Sequence, residues 1–466
     1  MHIKTVELRN FRCFEQLRID LHPRLTVLVA ENGDGKTTIL DGIAIGLSPV
    51  LRYLSTANQR LSGRGFQDTD FRLKSWENPR GEEQWVVSDY AQIVIETMSG
   101  LKWDNWKPSE AGKQPESKVG QKELAEYSSK VLENLKTSSP ELPVFAYYGA
   151  NRGWIEIPSR LHKSSVNYMY PTSALLDALD SLSDFKEMLK WFDMEEASEL
   201  RAAQRPLENA SVRHSALDVV RAVMSTALGS RYKDPHFNAR HKFVIHSENS
   251  PGVLQVSQLS QGYQSMLALS MDFARRLAIA NRHLHDVEGS FDWSFGEEYI
   301  AKWRIAEQDY DYVDQGPAWA PAIMLVDEID LHLHPRWQQQ VLGDLMCAFP
   351  NTQFITTTHS PQVISTVPQE SIRIIKDGGI HAAPPGTDGA EAQRILEEVF
   401  QVSPRPKTPM AEALKEYIEL VDAEKWDNPR ALELRQQLDK WAGKEHEPLL
   451  MEADIIIENK KWEAGR

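Results

Sequence analysis

One glycine-rich stretch constrains this chain more than any other. Residues 25–40 read LTVLVAENGDGKTTIL. The first five are apolar and mostly β-branched or leucine, which predicts a buried strand, and a helix is predicted from about Lys36. We expect that helix to end near Leu47, because Pro49 follows. A strand, a polar glycine-rich turn and a helix, in this order, form the context in which a loop binds phosphate.

The residue types within the turn suit a nucleotide. Gly33 and Gly35 allow backbone N–H groups to converge on an anion, since no Cβ blocks the approach. Lys36 can place a positive charge at the terminal phosphates, and the Thr37 hydroxyl can ligate Mg²⁺. Ala30 stands where the pattern expects its first glycine, so an ordinary strand-to-helix turn is the alternative. The candidate nucleotide-binding residues here are Asn32, Gly33, Asp34, Gly35, Lys36, Thr37 and Thr38.

Composition excludes several classes of protein. The 466 residues suffice for two or three domains, and a net charge of −15 excludes a uniformly basic surface that coats nucleic acid. The two cysteines, Cys13 and Cys347, give neither a disulfide framework nor a zinc-type pair. A reducing, cytoplasmic location is therefore expected. No apolar run approaches the roughly 20 residues that span a bilayer, so we expect no membrane partner.

Several segments near the phosphate loop are less informative. Arg12 lies close to it in sequence and is a candidate nucleotide contact, with a solvated side chain as the alternative. Residues 52–80 are polar and rich in arginine, which fits a solvated loop or a DNA-facing patch. Gln67 in this segment is a candidate for a nucleotide-sensing glutamine after the first helix and for a metal ligand. Residues 100–140 are polar and predict a surface insertion.

Three downstream pieces complete a candidate site. An apolar strand at residues 322–326 ends in Asp327, placed to hold Mg²⁺, and in Glu328, placed to activate water. His359 ends the next strand and can reach the γ-phosphate. The segment LSQGYQS, residues 259–265, is called the signature segment below. Its Ser260, Gln261 and Gly262 open a helix and offer a second anion site. Taken singly, each piece has a structural alternative: surface acids, a structural histidine or a serine N-cap.

The ordered set resembles the heads of ABC-type ATPases over roughly residues 1–50 and 250–385, with departures at Ala30, Gln261 and Tyr263. The resemblance implies an α/β fold, an ABC-type P-loop ATPase head related to the SMC and RecF heads, with a helical insertion and an all-α C-terminal region. It implies ATP and Mg²⁺ as ligands. It further implies a homo-oligomer, at least a dimer, in which the phosphate loop of one chain and the signature segment of another enclose one ATP.

We expect four regions along the chain. The first ATPase lobe, with the phosphate loop, antiparallel strands and a polar insertion, covers residues 1–160. A helical insertion covers 161–240. The second lobe, with the signature segment, Asp327 and His359, covers 241–388. A helical region for a partner or for oligomerisation covers 389–466. It carries one apolar stripe of Leu414, Tyr417, Ile418 and Val421, and another of Leu434, Leu438 and Trp441.

The whole layout is similar to the ATPase subunit of Septu-type antiphage systems, also found beside retrons. The similar pieces are AENGDGKTT, YYGANR, LSQGYQS, LVDEIDLHLHPRWQ, TTTHSPQV and ALELRQQL. The resemblance implies a sensor and scaffold that assembles and regulates a separate HNH endonuclease, with DNA or a retron reverse transcriptase and its msDNA as further candidate partners. No nuclease activity is expected in this chain, because the tail lacks a D-x-D cluster in strand context. The alternatives are a RecF-like DNA-repair ATPase that clamps on DNA and a nucleotide-bound scaffold with little turnover.

Overall fold

The computed structural model describes most of the chain and divides it into two compact units, Met1–Ile395 and Leu396–Arg466. The described residues are 1–77, 83–110, 112–137, 141–153, 164, 166–181, 185–204, 216–228, 232–248, 252–286, 316–442, 447–463 and 465. None of the helices in these ranges combines the length and the apolar character needed to cross a bilayer.

Among the residues that the structure describes, the strands all lie in the first unit. They are β1 (Ile3–Phe11), β2 (Phe14–Asp20), β3 (Leu25–Val29), β4 (Leu73–Glu77), β5 (Glu83–Val87), β6 (Tyr90–Thr97), β7 (Lys102–Pro108), β8 (Val144–Tyr148), β9 (Tyr232–Phe237), β10 (Phe243–Ser247), β11 (Val253–Gln255), β12 (Ala322–Val326), β13 (Thr352–Thr357), β14 (Ile372–Lys376) and β15 (Gly379–Ala382).

The helices occur in both units. They are α1 (Lys36–Leu54), α2 (Gln121–Thr137), α3 (Phe185–Gln204), α4 (Ala216–Ala227), α5 (Gln261–Ala280), α6 (Pro335–Gln338), α7 (Val341–Ala348), α8 (Pro361–Ile364), α9 (Ala392–Glu398), α10 (Pro409–Asp422), α11 (Pro429–Ala442) and α12 (Pro448–Glu463).

A six-stranded sheet positions the candidate site. Its strand order is β15-β14-β3-β13-β12-β8, and every neighbouring pair except β14–β15 is parallel. Every residue of β3, β8, β12 and β13 is buried, which explains the mostly apolar composition of β3, β8 and β12. The carboxyl ends of β3, β12 and β13 therefore meet at one edge, where the phosphate loop, Asp327 and His359 follow their strands.

The predicted end of the first helix is wrong, because α1 continues through Pro49 to Leu54. A proline inside a helix leaves the carbonyl four residues earlier without its N–H donor. Here the side-chain amide of Asn105 donates to the Ile45 carbonyl at 2.7 Å. Trp103 Nε1 donates to the next carbonyl, that of Gly46, at 2.8 Å. Two side chains of β7 thus stabilise the helix where the proline weakens it.

The prediction of a surface insertion at residues 100–140 is wrong for Lys102–Pro108, which form a strand of a sheet. This segment contributes β7 to the antiparallel sheet β2-β1-β6-β7 and then forms α2. Trp103 is fully buried, and the buried Gln92 donates to the Asp104 carboxylate at 2.7 Å. The polar composition misled the prediction because Asp104 and Gln92 satisfy each other inside the fold rather than facing water.

A buried ion cluster fixes α5 against the central sheet. The carboxylate of Asp272 accepts from Tyr148 at 2.9 Å, from Arg275 at 2.6 Å and from Arg276 at 2.7 Å. Although burial acts to raise it, the two arginines hold the pKa of Asp272 at about 2. Arg276 also donates to the carbonyls of Ala174 and Leu176. Helix α5, which the signature segment opens, is therefore bound both to β8 and to the segment that contains these two carbonyls.

The second unit is a small helical body with its own apolar core. Leu414, Tyr417, Leu434 and Leu438 are all at least 97% buried there, together with residues of α12. Trp441, which the sequence places on the second apolar stripe, is instead 48% exposed. The two predicted stripes therefore mostly pack on each other, and part of the apolar surface remains outside the core.

Candidate active site

The phosphate loop adopts a conformation that requires glycine. Gly35 is the N-cap of α1 and has a φ of 101°, in the left-handed region that side chains disfavour. A Cβ at this position would also lie 2.6 Å from the Phe14 ring and 2.8 Å from Cys13 Sγ. The segment between β1 and β2 therefore lies directly against the loop. Asn32 is exposed and Asp34 half-buried, while Thr38 is buried beside Cys13.

Lys36 is buried at the start of α1 and its ammonium group binds within its own loop. Nζ donates to the carbonyls of Ala30 at 2.8 Å and of Glu31 at 3.0 Å. Burial lowers the pKa of Lys36, although nearby carboxylates, including Asp34 and Asp327, act to raise it. The lysine is thus positioned at the loop by backbone carbonyls, which a phosphate oxygen can replace as acceptors.

Asp327 joins the phosphate loop to the strand edge. Thr37 Oγ1 donates to Asp327 Oδ2 at 2.9 Å, and Thr357 Oγ1 donates to Asp327 Oδ1 at 2.6 Å. The carboxylate is 96% buried, and its own backbone N–H donates to the Tyr148 carbonyl. A hydroxyl and a carboxylate at this separation are the donor set that Mg²⁺ uses beside a nucleotide. These side chains therefore fit a magnesium ion.

Thr357 was not among the sequence candidates, and it also orients Glu328. The Glu328 N–H donates to Thr357 Oγ1 at 2.7 Å, so one hydroxyl binds both the Asp327 carboxylate and the Glu328 backbone. Glu328 has a φ of 49°, an uncommon value for a residue that is not glycine. Strained backbone of this kind concentrates at functional sites. The only sequence signal for Thr357 is its position two residues before His359, in the strand that this histidine ends.

His359 and Asp330 lie on neighbouring loops. The Thr358 hydroxyl donates to Asp330 Oδ1, and the His359 N–H donates to the same oxygen at 3.4 Å. Partial burial and the positive charge of Lys36 lower the pKa of His359, although Asp330 and other acids act to raise it. The lowered pKa favours the neutral imidazole, which can donate or accept a hydrogen bond.

The signature segment is packed tightly against the loop that follows β12. Ser260 is exposed at the N-cap of α5, and its side chain makes no capping hydrogen bond. Gln261 is exposed beside it, whereas Gly262 is buried. A Cβ on Gly262 would lie 2.5 Å from the His332 carbonyl oxygen. Tyr263, which departs from the family pattern, packs edge-to-face against Trp337.

Two predicted site residues lie in a neighbouring ion network. Arg12 donates to Asp41 at 2.7 Å and to Asp70 at 2.8 Å, and Arg64 also binds Asp41. Gln67 is exposed, and its backbone N–H donates to Asp70 at 2.8 Å. Its described contacts join it to this network rather than to Thr37 or Asp327, and it lines a cleft of about 330 Å³. The Asp41 network was not foreseen, because arginines in a polar segment give no signal of burial.

Two protein-family models match the chain. The model described as an AAA domain covers residues 5–214. A second AAA domain model, described as a putative AbiEii toxin of a type IV toxin–antitoxin system, covers residues 153–365. Together they cover residues 5–365, which include the phosphate loop, the signature segment, Asp327 and His359.

Three individual proteins are similar to this chain over different shares of its length. The Retron Ec83 probable ATPase of Escherichia coli is 27% identical, over 99% of this chain and 88% of that protein. The Retron Vc95 probable ATPase of Vibrio cholerae is 25% identical, over 81% of this chain and 74% of that protein. The Septu protein PtuA of Bacillus mycoides is 35% identical over 23% of this chain and 10% of that protein.

The chain is a P-loop ATPase similar to the retron and Septu ATPases. The expectation drawn from the resemblance to PtuA-like ATPases is confirmed, as are the α/β ATPase fold and the ATPase class. The roles of the individual site residues remain predictions.

In this ATPase, Gly262→Ala should disturb the site through the His332 carbonyl. Backbone cannot yield as a flexible side chain does, so we expect ATP hydrolysis to fall by at least about tenfold, since misplacement of about 1 Å costs up to 10²-fold. Phosphate release measures the rate, and thermal unfolding reports stability.

Gly343→Ala is the matched control. Gly343 lies within α7, and nothing lies within 4 Å of its added Cβ. The change should leave the hydrolysis rate unaltered and add up to about 1 kcal/mol to the stability of the helix. Equal activity in both variants would contradict the tight packing of the signature segment.

Proposed function

We propose that this chain binds ATP and Mg²⁺ at a site shared between two copies and hydrolyses the ATP there. The observation that best supports this proposal is that each chain carries two separate candidate anion sites. The phosphate loop and the Asp327 edge form one half, while the exposed Ser260 at the start of a 20-residue helix offers a second N–H-rich anion site. One of each per chain makes a symmetric pair with two sites.

The proposed roles follow the geometry at the strand edge. When bound, Mg²⁺ neutralises phosphate charge, and Thr37 and Asp327 would hold it. Lys36 binds the terminal phosphates, and the backbone of residues 32–35 surrounds them. Glu328, whose backbone N–H is held by Thr357, orients the attacking water, and His359 contacts the γ-phosphate.

Glu328→Gln should bind ATP normally and hydrolyse it slowly. The amide keeps the size of the side chain but loses the charge that positions water, which typically costs about 10²–10³ in rate. Phosphate release and retained nucleotide are measured on the same sample.

The surface change Asp388→Asn serves as the control, because Asp388 is exposed and is not among the residues assigned to the site. Turnover at the control rate in Glu328→Gln would remove Glu328 from the reaction. An unaltered protein that binds ATP without releasing phosphate would favour the nucleotide-bound scaffold.

Ser260→Arg should abolish ATP-dependent association while each chain still binds nucleotide. The long cation would occupy the space of the partner's phosphates at the helix N-terminus. Light scattering with and without ATP measures the association, and a fluorescent ATP analogue measures binding.

Ser257→Arg places the same charge on an exposed position three residues earlier, before α5 begins. We expect this control to associate as the unaltered chain does. Association of the Ser260 variant at the control level would contradict a site shared through the signature segment.

We further propose that the ATPase acts as sensor and scaffold for a separate HNH endonuclease in an antiphage system. The support is the similarity to retron and Septu ATPases and the exposed apolar surface of the helical second unit. In α12, three consecutive isoleucines occupy residues 455–457. Because successive helix positions point about 100° apart, they cannot all face one core. Ile455 is 59% exposed and Trp462 is 84% exposed.

The double variant Ile455→Ser and Trp462→Ser should weaken capture of the nuclease, because exposed aromatic and aliphatic anchors carry much of the energy of such interfaces. Co-purification of the neighbouring gene's product, which this proposal requires to be an HNH protein, gives the readout, and we expect a loss of at least about tenfold. Val402→Ser is the control, at a 51% exposed position in the same unit. Full capture by a folded double variant would place the nuclease elsewhere, and DNA capture without nuclease would favour the RecF-like clamp.

A further inference from the structure

A cluster of metal-ligating side chains lies outside the ATPase site, on the three-stranded sheet β11-β10-β9. His236 on β9 is directly opposite Val244 on β10. His246 is two residues beyond Val244 and therefore shares its face of the sheet. The two imidazoles lie side by side, with ring centroids 5.5 Å apart and planes inclined by 27°.

A β-bulge brings a carboxylate to the same face. Between the pairs Val244–His236 and His246–Lys233, β9 advances by three residues while β10 advances by two. Asp234 lies in this bulge with a φ of 52°, a left-handed conformation that aspartate tolerates better than most residues. Bulges redirect side chains and recur at functional sites. Here the bulge places Asp234 Oδ2 3.5 Å from His236 Nδ1 and 3.8 Å from His246 Nε2.

We propose that Asp234, His236 and His246 form a binding site for a divalent transition metal of the zinc class. One ligand atom from each residue lies within 4.8 Å of the other two. Zinc bonds of about 2.0–2.2 Å in tetrahedral geometry put ligand atoms about 3.4 Å apart, so small side-chain rotations suffice. Two imidazoles and one carboxylate favour zinc over magnesium or calcium, which prefer oxygen alone. The partly exposed face leaves a fourth position for water.

A neighbouring carboxylate offsets the positive charge that lies nearest to the proposed metal site. Lys233 is paired across the sheet with His246, and Glu248 binds its ammonium group at 2.5 Å, which offsets the repulsion of a cation. Glu196 of α3 accepts from the Phe237 N–H at 3.1 Å, which fixes β9 next to His236. The arrangement also permits a metal-free explanation, in which His236 Nδ1 donates to the Asp234 carbonyl at 2.9 Å. Zinc binding distinguishes the two.

Zinc titration of the full chain tests the site. After chelator treatment and dialysis, Zn²⁺ is added in competition with a chromophoric chelator, without nucleotide. The unaltered protein should bind one Zn²⁺ per chain at this site, with a rise in the temperature of unfolding. Asp234→Asn keeps a residue that accepts left-handed backbone, and His246→Gln keeps a polar side chain. Each should weaken zinc affinity by at least about tenfold, since even outer-sphere partners of a metal contribute that much.

His241→Asn is the matched control. His241 is exposed, has a φ of 52° like Asp234, and lies between β9 and β10 outside the cluster. It should bind zinc as the unaltered chain does. The absorption of Co²⁺ bound in place of zinc gives a second readout, because tetrahedral nitrogen and oxygen ligation absorbs strongly. Equal zinc affinity in the unaltered chain, in His241→Asn and in both ligand variants would overturn the proposal, as would the lack of zinc binding by the unaltered chain.

Discussion

The hydrogen bonds of the Asp327 carboxylate hold the candidate site together. One oxygen accepts from Thr37 at the start of α1, and the other accepts from Thr357 at the end of β13. These partners are 290 and 30 residues away in sequence, so the contact depends on the parallel pairing of β3, β13 and β12. A buried carboxylate loses much solvation energy unless it is fully paired. The site therefore forms only if the strands of the sheet pair in this order.

The parts of the fold that could be predicted are those with a periodic or compositional signal. Buried parallel strands such as β3 and β12 are continuous apolar runs, and the glycines of the phosphate loop mark a turn. The prediction was wrong where long-range contacts compensate for a local signal. Pro49 should end a helix, but Asn105 satisfies the carbonyl that it leaves free. Asp104 should face water, but Gln92 pairs with it inside the fold. No local pattern records such partners.

The residues of the candidate site likewise divide into those with a local sequence signal and those that depend on long-range contacts. Lys36, Thr37, Asp327 and Glu328 were recognisable because their spacing from strands and turns is itself local. Thr357 was not, since its importance comes from a hydroxyl that serves two acids across neighbouring strands. Arg12 and Gln67 were chosen for residue type and proximity, and the structure gives them partners in the Asp41 and Asp70 network. The type of a residue shows which chemistry its side chain can perform, whereas the fold decides which residues that side chain contacts.

The close approach of Gly262 to the His332 carbonyl has a consequence for cooperativity. There is no room for even one methyl group between the start of α5 and the loop after β12, so the two are expected to move together. In the proposed pair, a nucleotide held by the signature segment of one chain would shift the loop that carries Glu328 and Asp330 of that same chain, at its other nucleotide. Linkage makes such coupling reciprocal, so each bound ATP would alter the affinity for the second by the same factor. A pair of this kind would respond to ATP concentration as one cooperative switch rather than as two independent enzymes.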